Sequence, residues 1–314
     1  MTDVHQKQTV VAYSAMEEYE LAEYVQGIEA ANPDLRIRME RMSTAALLER
    51  LLAEGPNGSW DIILGWALTT MLAPELRGWF APLESERVRR LPASARDPES
   101  RWFCPSAFVP AFCVNEARLA RRGLPIPTRW EDLADVRYGG ELVVPDPTYS
   151  GAGFLHLTAL LQMTGEARTW EILRGVSANR PLIERSAFAP CLAVAGDEAA
   201  IGVTVSIAAE RMARMGLPVK MVIPADAAGS EPEGFALRAG SARGEPASRA
   251  LEWMLSPEAC SIYRKYKKIV LVGEADPLPK EQGLQVHPIN AAQAAASRAS
   301  ACEGWRRIFT PAAV

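Results

Sequence analysis

Apolar residues first gather at positions 9–13 (TVVAY), a β-branched and aromatic run that predicts a strand. Ser14 and the acidic Glu17 and Glu18 follow, and then Leu21, Tyr24, Val25 and Ile28 recur at the spacing of one helix face until Asn32-Pro33. The unit repeats in kind. Residues 35–40 (LRIRME) predict a strand, Ser43-Thr44 a helix start, and Leu47, Leu48, Leu51 and Leu52 the buried face of that helix before Gly55-Pro56. Residues 61–64 (DIIL) predict a third strand, and residues 67–76 a third helix that ends near Gly78. Strands alternating with helices of about 10–15 residues predict an α/β fold with a mostly parallel sheet covered on both faces. The ligand crevice of such a sheet lies beyond the carboxyl ends of its strands.

Residues 84–101 mix charges of both signs with Pro and Ser and read as a solvated connection. Strand character returns at 107–114 (AFVPAFCV), where Pro110 predicts an edge strand or a crossing between domains. A second α/β series follows, with a short helix at 130–133, a strand at 141–144 (ELVV) and a helix opened by 150–153 (SGAG) that runs through Leu161. Further helices are predicted around 170–173, 187–195 and 206–215, and strands at 200–204 (AIGVT) and 219–223 (VKMVI). An extended segment at 233–237 (EGFAL) precedes helices at 246–255, 257–265 and 291–301. Two series joined by extended crossings at 107–114 and 224–237 predict two lobes with a hinge. The first lobe takes 1–108, the second 109–230, and 231–314 returns to the first, its C-terminal helices free to pack back on the second. A cleft between lobes is the expected binding site.

Composition narrows the function. The chain has 314 residues, 48% hydrophobic and 23% charged, an ordinary globular mixture. With 34 basic against 38 acidic residues and no basic block, it lacks the electrostatic footprint of a nucleic-acid binder. Its longest uncharged stretches, such as 62–74, fall short of the roughly 18–20 residues that span a bilayer. The first residues, MTDVHQKQTVVAYS, show no charged segment followed by an apolar one, so the expectation is a cytoplasmic protein or one whose leader is not in this sequence. Cys104, Cys113, Cys191, Cys260 and Cys302 have no CxxC spacing and read as small buried hydrophobes, with at least one unpaired in a monomer.

Enzyme motifs are missing. His5, His156 and His287 form no HExxH, there is no GxxxxGK loop, and Thr148 to Ala152 lacks both glycines of a nucleophile elbow. Gly151-Ala152-Gly153 begins like a dinucleotide fingerprint, but His156 stands where its third Gly belongs. His156 reads as a helix-surface or core residue. What recurs is a small polar residue that opens a helix after a strand: Ser14, Ser43-Thr44, Ser150-Gly151, and Thr204 to Ser206. Singly these are N-caps. Together, helix N-termini facing one crevice form an anion site, because free N–H groups and positive dipole ends converge there.

The segments VVAYSAMEEYE, MSTAALLERLLAEGPNGSWDIILGWALTTMLAPE, DPTYSGAGFLHLTALLQ and SAFAPCLAVAGDEAAIGVTVS resemble the extracytoplasmic solute-binding proteins of ABC importers. Within these the chain is similar to the ferric-iron-binding type, and most to its 2-aminoethylphosphonate-binding branch, over roughly residues 10–272. The resemblance implies the type II periplasmic binding protein fold, two α/β lobes with a hinge and an interlobe ligand cleft, and a periplasmic location. It implies ligand contacts at Ser14, Ala15, Glu17, Ser43, Thr44 and Trp66 in the first lobe, and at Tyr149, Ser150, Gly151, Ala152, Arg185, Ser186 and Thr204 in the second. Glu233 matches a carboxylate on the returning hinge segment.

Iron-binding members carry neighbouring tyrosines near 204–208, where this chain reads TVSIA, so direct ferric binding is not implied. The implied ligand is 2-aminoethylphosphonate or a related small phosphonate or zwitterion. Hydroxyls and N–H groups would hold the phosphonate, Arg185 would add a charge-assisted bond, Glu17 or Glu233 would hold the ammonium, and Trp66 would wall the linker. No catalytic residue, metal or cofactor is implied, and the partners are a small-molecule ligand and an inner-membrane ABC permease. Two alternatives stay open: another anionic or zwitterionic cargo, such as a sugar phosphate, a polyamine or ferric iron, and an enzyme on a two-lobed scaffold.

Overall fold

The structure, a computed structural model, describes residues 7–266, 268–273 and 286–310. His5 and the other residues before position 7, on which the leader reading partly rests, lie outside the described residues. The chain divides into two compact units, Met1–Ala107 with Pro232–Pro277, and Phe108–Glu231 with Leu278–Val314.

The first unit opens with β1 (Gln8–Ser14), α1 (Glu18–Ala31), β2 (Leu35–Arg41), α2 (Thr44–Glu54) and β3 (Ile62–Ala67). It continues through α3 (Leu68–Met71), β4 (Phe80–Ala81), α4 (Glu86–Arg89) and β5 (Phe103–Phe108). Each early helix has a definite start and stop. Glu17 and Glu20 form a capping box at the start of α1, with the Glu17 N–H donating to Glu20 Oε1 at 3.1 Å. The helix stops at Asn32, where Pro33 disfavours a further helical residue before it. Leu21, Tyr24 and Ile28 face the sheet and are buried. All six residues of β3 are buried, as a central strand requires.

The second unit comprises β6 (Pro110–Val114), α5 (Glu116–Arg121), β7 (Leu142–Pro145), α6 (Gly151–Thr164) and α7 (Glu166–Ala178). Then come β8 (Leu182–Glu184), α8 (Ala189–Ala195), β9 (Ile201–Val205), α9 (Ser206–Arg214) and β10 (Lys220–Val222). The long strand β11 (Gly229–Arg238) leads back to the first unit, which adds α10 (Gly244–Trp253), α11 (Pro257–Lys265) and β12 (Ile269–Val270). Finally β13 (His287–Pro288) and α12 (Ala291–Phe309) belong to the second unit.

The first sheet runs β12-β5-β11-β3-β1-β2, with β4 also on β11. Strands β2, β1 and β3 are parallel, and β11 lies antiparallel to β3. The second sheet runs β10-β6-β9-β7-β8, parallel from β9 through β7 to β8 and antiparallel at β6 and β10. The beginning of β11 pairs with β13.

Three expectations are corrected. The helix predicted over 67–76 is two pieces, α3 and a 3-10 turn at Pro74–Leu76, because Pro74 has no N–H to continue the ladder. The connection at 84–101 is partly ordered: Ser85 caps α4 by accepting the Val88 N–H at 3.1 Å, and Val88 and Leu91 are buried. Of the two readings of the apolar run at 107–114, the edge strand fails and the crossing holds, since the units divide between Ala107 and Phe108. The run splits between β5 and β6, and β6 is flanked by β10 and β9. Pro110 is tolerated because it is the first residue of its strand, a position where proline is accommodated.

His156 sits in the core of the second unit, on α6. Its Nε2 donates to Thr204 O at 2.6 Å, and its Nδ1 accepts the Trp130 indole N–H at 2.9 Å, which together require the neutral ring. Burial disfavours the charged form and holds its pKa down to about 4 from the ordinary 6.5. The folded chain therefore resists protonation that the unfolded chain accepts. This contribution to stability is complete above pH 6.5 and is lost as pH falls from about 6.5 to about 4, by about 3 kcal/mol in all. We expect urea unfolding from pH 7 down to pH 4 to show that decline in the native chain. In His156→Gln the corresponding part of the slope should be absent, and an unchanged slope would contradict a neutral buried ring.

Candidate functional site

The parallel register places Ser14 opposite Arg41 and Tyr13 opposite Ile63, so β1, β2 and β3 end at one edge of the first sheet. The loops leaving that edge carry Ala15, Glu17, Ser43 and Thr44. Ser14 does not cap α1. Its buried hydroxyl donates to Leu64 O at 2.5 Å and accepts the Met16 N–H at 3.0 Å, stitching β1 to β3, while the cap is Glu17. The Ala15 N–H donates to Gly65 O at 3.1 Å. Gly65, within β3, has φ +73°, and a Cβ there would lie 2.0 Å from the Met16 sulfur, so this point of the strand demands glycine.

Glu17 pairs with Arg41 at 3.0 Å. Ser43 is exposed and caps α2, its hydroxyl accepting the Ala46 N–H at 3.3 Å. Thr44 is half-buried, and its carbonyl accepts the Trp66 indole N–H at 3.2 Å. Trp66 is only 1% exposed. Its ring is packed against the start of α2, so the face expected to wall a ligand is covered by protein.

Glu233 is likewise committed. One of its oxygens accepts the Ser106 hydroxyl at 2.6 Å and the other meets Lys268 Nζ at 2.8 Å. Lys268 also pairs with Glu20 Oε2 at 2.6 Å, and its side chain is fully buried. Burial alone would push the Lys268 pKa down, but the two carboxylates hold it above the ordinary value, while burial raises Glu20 above the usual carboxylate range. Through the capping box, this cluster links the start of α1 to β5, β11 and β12. The sequence offers no signal for Lys268, one of several lysines in YRKYKK.

In the second unit, Pro145 lies opposite Glu184 and Val143 opposite Gly202, so β7, β8 and β9 also end at one edge. Asp146 organises the loop after β7: its Oδ1 accepts the Thr148 N–H at 2.7 Å and its carbonyl the Ser150 N–H at 2.8 Å. Ser150 caps α6, accepting the Gly153 N–H at 3.4 Å, and both Ser150 and Ala152 are 4% exposed. Gly151 is half-buried. A Cβ on Gly153 would sit 2.6 Å from Pro145 O, so glycine lets α6 start directly on the strand end.

Arg185 and Tyr149, from the loops after β8 and β7, meet there. The guanidinium lies 4.2 Å from the centre of the tyrosine ring, and both residues are exposed. Arg185 makes no ion pair among the described residues, although Glu184 precedes it. Ser186 accepts the Phe188 N–H at 3.0 Å. Thr204 is buried, its hydroxyl donating to Ala187 O at 2.6 Å. Ser206, the first residue of α9, is 4% exposed and its hydroxyl has no partner among the described residues.

The structure thus brings Tyr149, Ser150, Gly151, Ala152, Arg185 and Ser186 to one edge of the second sheet, with Thr204 buried behind the Ser186 loop. It assigns Ser14, Trp66 and Glu233 internal partners. Missed in the sequence were Arg41, which neutralises Glu17, and the Arg185–Tyr149 stack, which depends on two loops meeting. Among the described residues, no group of three or more His, Cys, Asp or Glu is placed to hold a metal ion, and no helix is long and apolar enough to cross a membrane.

The sequence pattern of the bacterial extracellular solute-binding proteins matches residues 74–293. An uncharacterised protein of Haemophilus influenzae is 26% identical over 230 residues, which cover 72% of this chain. The chain spans 66% of that relative's length, less than two thirds. Among solved structures, the periplasmic binding protein AfuA of Actinobacillus pleuropneumoniae, with exogenous fructose-6-phosphate bound, aligns with TM-score 0.86 at 20% identity, covering 98% of this chain and 100% of its own. Iron-bound HitA of Pseudomonas aeruginosa aligns with TM-score 0.80 at 17% identity, covering 96% and 99%. These likenesses give the fold: two α/β units of the type II periplasmic binding protein class.

The buried Lys268 cluster provides a direct test of the site's framework. Lys268→Met leaves Glu20 and Glu233 buried without a counter-charge, and we expect a loss of about 3–5 kcal/mol in urea unfolding at pH 7. The loss should shrink toward pH 5, as the stranded carboxylates take up protons. A stability unchanged at pH 7 would mean that the cluster is solvated.

Proposed function

This chain belongs to the bacterial extracellular solute-binding proteins, and from that premise we propose that its cargo is a small phosphonate or organophosphate, with 2-aminoethylphosphonate the first candidate. Proteins of this family deliver small ligands to ABC permeases. The observation that carries the choice of an anion is Arg185. It is an exposed guanidinium with no carboxylate partner among the described residues, held on the Tyr149 ring beside the start of α6. An arginine is always charged at neutral pH and presents a planar fork that suits phosphate oxygens. The first N–H groups of α6, with Ser150, Gly151 and Ala152, add donors of the same polarity. Ser186, Thr204 and the unpartnered hydroxyl of Ser206 belong to neighbouring strand ends in that unit. In the first unit, Ser43 and Thr44 at the start of α2 offer the same chemistry, and Ala15 and Glu17 border it.

A sugar phosphate is the second reading, and one observation favours it. Both carboxylates suited to an ammonium already face cations, Glu17 facing Arg41 and Glu233 facing Lys268. A zwitterion must compete for them, whereas hydroxyl-bearing cargo need not. AfuA, a protein of the same fold, holds fructose-6-phosphate. Ferric iron is less well supported, because residues 204–208 provide no phenolate.

Calorimetry against 2-aminoethylphosphonate, fructose 6-phosphate, inorganic phosphate, ethanolamine and Fe(III) separates these readings. We expect micromolar or tighter binding of a phosphonate or phosphate ester and none of ethanolamine. Arg185→Gln should weaken binding about 10- to 100-fold and Ser150→Ala about 3- to 10-fold. Tight binding of iron alone, or affinities unmoved by both substitutions, would overturn the proposal.

A further inference from the structure

Two of the five cysteines converge inside the second unit. Cys113 lies in β6 and pairs with Gly202 of β9. Residues opposite one another on neighbouring strands point to the same face, and so does the residue two further along. Cys113, Gly202 and Thr204 therefore share one face of the sheet. That face is covered by α8 and the turn before it. The Thr204 hydroxyl donates to Ala187 O at 2.6 Å, and a Cβ on Gly202 would lie 2.6 Å from Pro190 O.

Cys191 follows Pro190 in the first turn of α8, and both Cys113 and Cys191 are fully buried. The Cys191 sulfur is within hydrogen-bonding reach of the Cys113 thiol and of Thr204. The shared hydrogen bond, reinforced by burial, pushes the Cys113 thiol up, and the same bond lowers Cys191. Cys302 is on α12 against Pro147 O, and Cys104 and Cys260 lie in the first unit, so none of them competes for this contact on the face of the sheet that α8 covers.

The geometry points to a disulfide between Cys113 and Cys191 that ties α8 to the sheet of the second unit. The family is extracellular, and oxidising compartments of that kind sustain disulfides. The oxidant is an external disulfide, either that of a thiol oxidoreductase or oxidised glutathione. A Cys191 thiolate attacks one of its sulfurs and forms a mixed disulfide. The Cys113 thiolate then attacks the Cys191 sulfur of that mixed disulfide. The Cys113–Cys191 bond forms, the oxidant's S–S bond is broken, and the two protons end on its two reduced thiols. Because both sulfurs are buried, exchange takes place while the chain is still folding, and the finished bond resists reductants until the unit opens. Its effect is to hold the turn carrying Arg185 and Ser186, which leads into α8, against the strands.

The full chain, refolded from a reduced and denatured state in oxidised glutathione, tests this. We expect three of the five thiols to react in denaturant, a mass about 2 Da lower, and a non-reducing digest containing the Cys113–Cys191 cross-link. Unfolding in the presence of dithiothreitol should then begin about 5–10 °C lower. C191A should keep four free thiols and show no shift with dithiothreitol. Five reactive thiols in the refolded chain, or a cross-link joining any other pair, would overturn the inference.

Discussion

Parallel strand pairing is the constraint on which the rest of this structure depends. A parallel neighbour is reached only by a crossover that leaves one edge of the sheet and returns to the opposite one. Strands β1, β2 and β3 in the first unit, and β7, β8 and β9 in the second, therefore all end at one edge of their own sheet. Every following helix begins there, with the positive end of its dipole at that edge. The glycines that permit the tight departures follow from the same constraint. Gly65 allows the Met16 side chain against β3, and Gly153 allows α6 to start on the backbone of β7.

What differs between the two edges is how their charges are used. In the first unit the acidic groups are consumed by the fold: Glu17 faces Arg41, and Glu20 and Glu233 share the buried Lys268. A buried cluster of this kind is costly to assemble and more costly to break, because removing one partner leaves the others without compensation. It gains architectural value by joining the capping box of α1 to strands β5, β11 and β12. In the second unit the balance is reversed. Among the described residues Arg185 has no carboxylate partner, and its guanidinium lies over the Tyr149 ring.

His156 illustrates a related economy. A titratable side chain at the centre of the second core is kept neutral by burial, and both ring nitrogens are spent on Trp130 and Thr204. It thereby fixes the end of β9, next to the start of α9, without adding charge near that strand end. The neighbouring face of β9, under α8, is where Cys113, Cys191 and Gly202 pack closely enough that a side chain at Gly202 would be excluded.

Period and punctuation alone determined much of this protein. Alternating strand and helix patterns, the Ser43 and Ser150 caps and the stop at Asn32-Pro33 are local preferences, decided over a few residues of backbone and readable in order. The short pieces were not legible: α4, β8, β12 and β13 are too brief to show a period, and β6 looked like an edge strand because Pro110 speaks only of its own N–H. Nor was the use of each polar side chain. Ser14 reads as a cap and is a strand stitch, and Glu233 reads as a ligand carboxylate and is half of a buried ion pair. Those assignments belong to tertiary structure for one physical reason. Burial and charge pairing are set by residues far apart in the chain, such as Lys268 and Glu20, and no local spacing encodes which of them will meet.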